Sequence, residues 1–213
     1  MTSPNDFFDA RAATWDDDPT KVERARRAAE AIRQAVPVTS GLAVLDYGCG
    51  TGLLGLALRP HLGRLVLADT SEGMLEVVRQ KLARGGGPPA TALRLDLSTG
   101  DPPQDLRVDL VCTLMAMHHV PDTRALLGRF HQLLRAPGTL CIVDLEQEDG
   151  SFHGPAVEVH HGFARGELTG LLTRAGFEEP HFSTVDTIVR VDGPGRRSYP
   201  LFLAVARKRD DRA

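Results

Sequence analysis

The sequence of 213 residues predicts a doubly wound α/β fold, a mostly parallel seven-stranded sheet finished by a C-terminal antiparallel hairpin. Three observations predict it. Short apolar runs alternate five times with stretches of helical periodicity, and that alternation forces parallel strands joined by right-handed helical crossovers. The runs are apolar at successive positions, as expected of strands covered on both faces. Two last apolar runs lie close together, as a hairpin requires.

The elements follow in order. Residues 1–20 are polar and turn-rich but carry Phe7, Phe8 and Trp15, too many aromatics for a disordered tail, so part of the segment should pack on the domain. Asp18-Pro19 precedes a helix starting near Pro19 or Thr20, in which Val22, Ala25, Ala28, Ala29, Ile32 and Val36 recur at helical spacing. Leu42 to Tyr47 is the first strand and Gly52 to Leu58 a short helix. Leu65 to Ala68 is the second strand, ending at Asp69, and Thr70 or Ser71 caps a helix to about Ala83. The stretch from Gly85 to Pro89 is a loop, Thr91 to Leu95 a third strand and Val108 to Thr113 a fourth. Asp122 caps a helix through Leu134, Ala136-Pro137-Gly138 is a tight turn, and Thr139 to Leu145 is the fifth strand. Residues 146–165 are irregular, a short helix runs from about Gly166 to Arg174, and Phe182 to Val191 pairs with Tyr199 to Ala206 through a connection at 192–197.

Composition excludes several classes of function. Twenty-five Lys and Arg face 28 Asp and Glu, for a net charge of -3, and the densest basic groups are interleaved with acids, so nucleic acid is not an expected partner. Apolar runs stay well below the roughly 20 residues of a membrane-spanning helix, and no secretory leader pattern opens the chain. Cys49, Cys112 and Cys141 form no CxxC unit, which suits reduced thiols in a cytoplasmic protein.

The chemistry gathers at the strand tips. The first strand enters Asp46-Tyr47-Gly48-Cys49-Gly50-Thr51-Gly52, a turn whose glycines let the backbone bend sharply and a ligand approach closely. No Lys-Ser or Lys-Thr follows, so the nucleotide-triphosphate loop is absent. Gly50, Gly52 and Gly55 spell the dinucleotide fingerprint, but the acid Asp46 beside them suits a cationic ligand better than a pyrophosphate. Asp69 and Asp96 end the next two strands on the same edge. Asp69 is placed to accept from a ribose diol and Asp96 from an exocyclic amine, while Met74 and Leu97 offer apolar faces to a purine. A nucleoside with a positive centre and an amino-acid tail fits this set.

The order and spacing of these residues resemble the class I S-adenosylmethionine-dependent methyltransferases. The likeness runs through Val44 to Gly52, Ala68 to Met74, Asp96-Leu97, Asp109 to Val111, Met117-His118-His119-Val120 and Leu133 to Leu140, covering roughly 40–146. It is similar in particular to the small-molecule subgroup of ubiquinone and menaquinone C-methyltransferases. The resemblance implies a Rossmann-like methyltransferase fold and S-adenosylmethionine as cofactor. It implies a tail held at Gly48, Gly50 and Gly52 with Asp46 nearby, ribose at Asp69, adenine between Thr70 and Met74 with Asp96 at its amine, and backbone from Leu114. It also implies that residues 1–36 form a lid and helix over a core of 37–213. Ala136 departs from the Lys more often found before the Pro-Gly turn, which affects a surface turn only.

Six of the eight histidines fall between 118 and 161. His119, His153, His161 and Glu146 are the candidates for acceptor-side chemistry, since a poorly acidic nucleophile needs a base. No metal-ligand spacing is present, so no metal site is expected. Phe152, Phe163, Met115 and Met117 make the pocket partly apolar, which favours a small organic acceptor for a monomer or homodimer. Two rival readings are an NAD-dependent dehydrogenase and a non-catalytic nucleoside-binding or regulatory protein of the same fold.

Overall fold

The computed structural model describes residues 4–153, 159–192 and 195–209. An N-terminal helix α1 (Pro4–Asp9) and a 3-10 turn (Ala12–Asp17) lead into α2 (Pro19–Ala35), whose first turn is capped by Asp18 accepting from the Thr20 N–H at 2.9 Å. Then come β1 (Ala43–Tyr47), α3 (Leu53–Leu58), β2 (Arg64–Asp69), α4 (Glu72–Ala83), β3 (Ala90–Arg94), β4 (Val108–Leu114), α5 (Thr123–Leu133), β5 (Leu134–Leu145), α6 (Arg165–Arg174), β6 (His181–Asp192) and β7 (Gly195–Arg207). The seven strands order as β3-β2-β1-β4-β5-β7-β6, the first five parallel and β7 antiparallel to both its neighbours. The order reverses direction between β1 and β4, and a wound sheet holds ligands at the carboxyl ends of strands beside such a switch.

Strand parity sorts the core into two layers. Leu45, Tyr47, Val66, Ala68 and Val111 face Leu126, Leu127 and Phe130 of α5 and Leu168 and Leu172 of α6. Val44, Leu65, Leu67, Leu110 and Cys112 face Ala28, Ala29 and Ile32 of α2, Leu54 and Leu58 of α3, and Val78 of α4. The predicted caps hold, with the Ser71 hydroxyl accepting from the Met74 N–H and Asp122 from the Ala125 N–H. Val22, assigned to the apolar stripe of α2, is 41% exposed because it sits a turn before the helix meets the sheet. Cys112 and Cys141 are register partners on adjacent strands, fully buried, and burial drives both thiols up, Cys141 to about 12.

Two stretches differ from expectation. β5 starts at Leu134, the predicted end of the helix, and runs through the predicted turn, because Leu134 already pairs with Val108 before the register slips to Leu110↔Thr139; the Ala136-Pro137 peptide between them is cis. The hairpin runs past the sheet, so Arg196 and Arg197, predicted as connection, pair with Val191 and Arg190, and Asp192 pairs with Gly195. The predicted connection includes 193–194 and the irregular stretch includes 154–158, which lie outside the described residues. Among the described residues no helix is long and apolar enough to cross a membrane.

Candidate functional site

The chain leaves β1 through three glycines in the left-handed region, Gly48 at φ 66, Gly50 at φ 54 and Gly52 at φ 83. At Gly48 the crowding is also steric, since an added Cβ would run into the Ala116 Cβ. Gly55 has a packing reason, because a Cβ there would lie 2.6 Å from Leu67 Cδ2 and 2.8 Å from Asp46 Oδ2. The dinucleotide lettering is therefore met by a glycine that seats α3 on the sheet.

Asp46 does not project from the strand tip as the sequence suggested. It is the penultimate residue of β1 and its parity sends it beneath α3, where it is 1% exposed. Its Oδ2 accepts from the Gly55 N–H at 2.8 Å, and Oδ1 has no hydrogen-bond partner among the described residues. Burial raises this carboxyl to about 7, with the Gly55 N–H opposing and the Asp69 charge adding to the rise. A buried acceptor with an unused oxygen beside a glycine turn suits a cationic donor.

Asp69, the last residue of β2, clasps the turn from the other side. Its Oδ2 accepts from the Gly50 N–H at 2.7 Å and its Oδ1 from the Ser71 N–H at 2.9 Å. Burial pushes its pKa up, opposed by these backbone donors. Thr70 is half-buried beside it, Met74 is buried at the start of α4, and Leu114 closes β4 half-buried. The third acid stands apart. Asp96 is exposed and turns back on its own loop, accepting from the Ser98 N–H at 2.8 Å, the Ser98 hydroxyl at 2.5 Å and the Thr99 hydroxyl at 3.0 Å. Burial would raise its pKa, but these hydrogen bonds outweigh that and hold it below the usual range. Leu97 packs wholly in the core, its N–H donating to the Tyr47 hydroxyl at 3.0 Å, so its side chain offers no open face.

The N-terminal segment is tied to this rim. Asp9 accepts from the Ser71 hydroxyl and from the Gly73 N–H at 2.9 Å. Asp16 accepts from the Thr51 hydroxyl at 2.5 Å and pairs with the Lys81 ammonium at 2.5 Å. Phe8 sets its ring edge-on to His119, centroids 5.4 Å apart, and to Trp15 at 5.9 Å.

Beyond β4 the histidines divide by role. His118, 1% exposed, places Nδ1 2.6 Å from Asp144 Oδ1 and Nε2 3.0 Å from His153 Nε2. His119 lies against both, with ring centroids 4.2 Å from His118 and 5.2 Å from His153. Burial, then the charges of neighbouring imidazoles, lowers His119 to about 3; burial and then His118 lower His153 to about 4. Glu146 and His161 are not in this cluster. Glu146 pairs with Arg165 at 2.5 Å, and His161 lies over Gly150. His160 is a strut, its N–H donating to the His118 carbonyl at 2.8 Å and its ring meeting Thr123 Oγ1 at 3.2 Å. Asp144 was passed over in the sequence, where nothing marks an acid in a buried strand as the partner of a histidine 26 residues earlier.

Comparison with known proteins agrees with this geometry. Residues 44–138 match a family described as methyltransferase domain. An uncharacterized methyltransferase of Schizosaccharomyces pombe is 33% identical over 121 residues, 54% of this chain and 43% of its own length. The chain spans between 26% and 56% of the first curated relatives it matches. Among solved structures, the 1,6-didemethyltoxoflavin-N1-methyltransferase of Burkholderia thailandensis superposes with a TM-score of 0.69 at 22% identity, covering 99% of this chain and 92% of that one. A SAM-dependent methyltransferase of Aquifex aeolicus gives 0.63 at 20% identity, covering 89% and 98%. At these identities the two structures speak for the fold alone. Residues 44–138 thus match a methyltransferase domain, and the chain shares the Rossmann-like fold of the methyltransferases it superposes on.

Proposed function

We propose that the protein transfers a methyl group from S-adenosylmethionine to a small organic acceptor, and acts in the cytoplasm as a monomer or homodimer. The observation that supports this reading best is the pair of carboxylates, buried Asp46 and half-buried Asp69, bracketing a left-handed glycine turn. When bound, the cofactor supplies a methyl group activated by a sulfonium. Asp46 has an unpaired buried oxygen for the cationic tail, the turn at Gly48, Gly50 and Gly52 leaves room for it, and Asp69 takes the ribose hydroxyls. Thr70, Met74 and Leu114 border the cofactor, with Asp96 near the outer rim.

In-line transfer needs alignment and exclusion of water more than it needs chemical groups. The ties of Asp9 and Asp16 hold the N-terminal segment across the turn, where it shields the reacting centre. On the acceptor side His119 and His153 present unprotonated imidazoles at neutral pH, in the state that accepts a proton or a hydrogen bond. Glu146, through Arg165, and His161, over Gly150, brace the wall behind them. Phe152 and Phe163, expected at the pocket, are buried in opposite layers of the core, so a small acceptor like those of the quinone-biosynthesis subgroup is supported by the resemblance to that subgroup.

Asp69→Ala tests the cofactor assignment. Loss of hydrogen bonds to a charged acceptor is worth about 1.5–3 kcal/mol, so affinity for S-adenosylhomocysteine measured by calorimetry is expected to fall by about 10–100-fold. Unchanged affinity would remove the ribose assignment, and tighter binding of NAD than of S-adenosylhomocysteine would favour the dehydrogenase. A methyl-release screen over small phenols, amines and thiols then identifies the acceptor class.

A further inference from the structure

The sequence carries no metal-ligand spacing, yet three imidazoles from separate segments converge. His118, His119 and His153 each offer a ring nitrogen, and these nitrogens all lie within 4.8 Å of one another. We propose that His118, His119 and His153 form a tri-histidine site for a divalent transition-metal ion of the zinc type, set at the end of β4 beside the glycine turn.

The closest contact in the cluster argues for this. Asp144 Oδ1 sits 2.6 Å from His118 Nδ1, a contact that fixes the ring and turns its Nε2 away from the carboxylate. His118 Nε2 faces His153 Nε2 at 3.0 Å. A contact this close between two imidazole nitrogens holds a proton or a cation between them. Zinc–imidazole bonds of 2.0–2.1 Å in a tetrahedron put neighbouring ligand nitrogens about 3.3 Å apart, so this pair already has the spacing of two ligands. His119 completes the set, its ligand nitrogen within 4.8 Å of the other two and its ring centroid 4.2 Å from that of His118.

The surroundings match what such sites require. A carboxylate on the distal nitrogen of a ligating histidine holds its tautomer and ring orientation. Asp144 does this, and it is itself locked by the His118 N–H at 3.3 Å and the Leu145 N–H at 2.8 Å. Asp144 and His118 are sealed in the core, whereas His119 and His153 are only half-buried, which leaves a path for the ion and a position for a further ligand. Three imidazoles with one position open is the composition of a reactive site, not of a closed structural one. Imidazole donors favour zinc, cobalt, nickel, copper and iron over magnesium and calcium.

The test uses the full chain, stripped with chelator and titrated separately with Co2+ and Zn2+ by calorimetry and visible absorption. The expected result is one ion per chain, with the intense cobalt absorption of a four- or five-coordinate nitrogen site. His153→Ala is expected to weaken binding by about 100-fold or more, and Asp144→Asn by about 10–100-fold through loss of ligand orientation. His153 is half-buried, so its removal leaves the core intact, and circular dichroism with S-adenosylhomocysteine binding on the same samples verifies the fold. Absence of cobalt or zinc uptake by protein that still binds S-adenosylhomocysteine would overturn the metal site and leave the methyl-transfer reading standing. Uptake unchanged in both His153→Ala and His119→Ala would overturn it equally.

Discussion

Asp46→Asn is expected to stabilise the ligand-free protein at pH 8 and at the same time to loosen its hold on S-adenosylmethionine. The Asp46 carboxyl is raised from 3.8 to about 7 in the folded chain by burial. Between those values the native state binds more protons than the unfolded one, so stability falls as pH rises through that window. At pH 8 the penalty is fully present. Three pKa units correspond to about 4 kcal/mol, from which the burial of an amide N–H2 with an incomplete partner set subtracts, leaving a net gain of about 2 kcal/mol. Asp69 also titrates upward and adds a slope of the same sign, common to both proteins; the Cys49 and Cys112 thiols facing Asp46 are driven well above their ordinary value and stay neutral. Urea denaturation at pH 5 and pH 8 measures the difference. A gain that is equal at both pH values, or absent at pH 8, would contradict a strained buried carboxylate. Calorimetry with S-adenosylmethionine should show affinity falling at least tenfold, since the charge that opposes a cationic tail has gone.

Gly48→Ala is expected to destabilise the chain and to abolish measurable cofactor binding. Two costs add at this position. The backbone stands at φ 66, where a Cβ costs about 1–2 kcal/mol, and the new methyl would collide with Ala116. Overpacking of this kind typically adds about 1–3 kcal/mol, for a total near 2–5 kcal/mol. The strain is relieved only by shifting the turn or the segment after β4, and both border the rim. Thermal denaturation and S-adenosylhomocysteine calorimetry measure the two effects. Gly50→Ala is the informative comparison, since its added Cβ meets only the Met74 sulfur at 4.0 Å and carries the backbone cost alone. Equal losses in the two variants would remove the steric contribution of Ala116.

Local chemistry made most of the fold legible. Asp18, Ser71 and Asp122 announce helix starts because a cap needs only a short polar side chain at one backbone position, and the glycine turn announces itself because few other residues tolerate its dihedrals. The candidate site was legible where a residue's position depends on its neighbours in sequence, as with Asp69 at the end of its strand. It was illegible where the role depends on parity or on distant pairing. Asp46 and a tip residue look alike in a run of letters, but one step along a strand turns a side chain to the opposite face. His118 joins Asp144 and His153 only through the meeting of β4, β5 and the segment beyond, and adjacent His160 and His161 separate into a strut and a surface residue. The long hairpin was underestimated for a related reason. Past the edge of the sheet Val189 and Val191 are 40% and 78% exposed, so the strand carries little burial pattern there.

The cross-strand neighbours Cys112 and Cys141, buried in the middle of the sheet, turn the molecule into its own reporter of global opening. A thiol modifier reacts with the thiolate, and neither sulfur is solvent-reachable nor ionised in the native chain. Alkylation by a maleimide at these positions therefore proceeds only from molecules whose central strands have separated, and its rate under native conditions reads the free energy of that separation without denaturant.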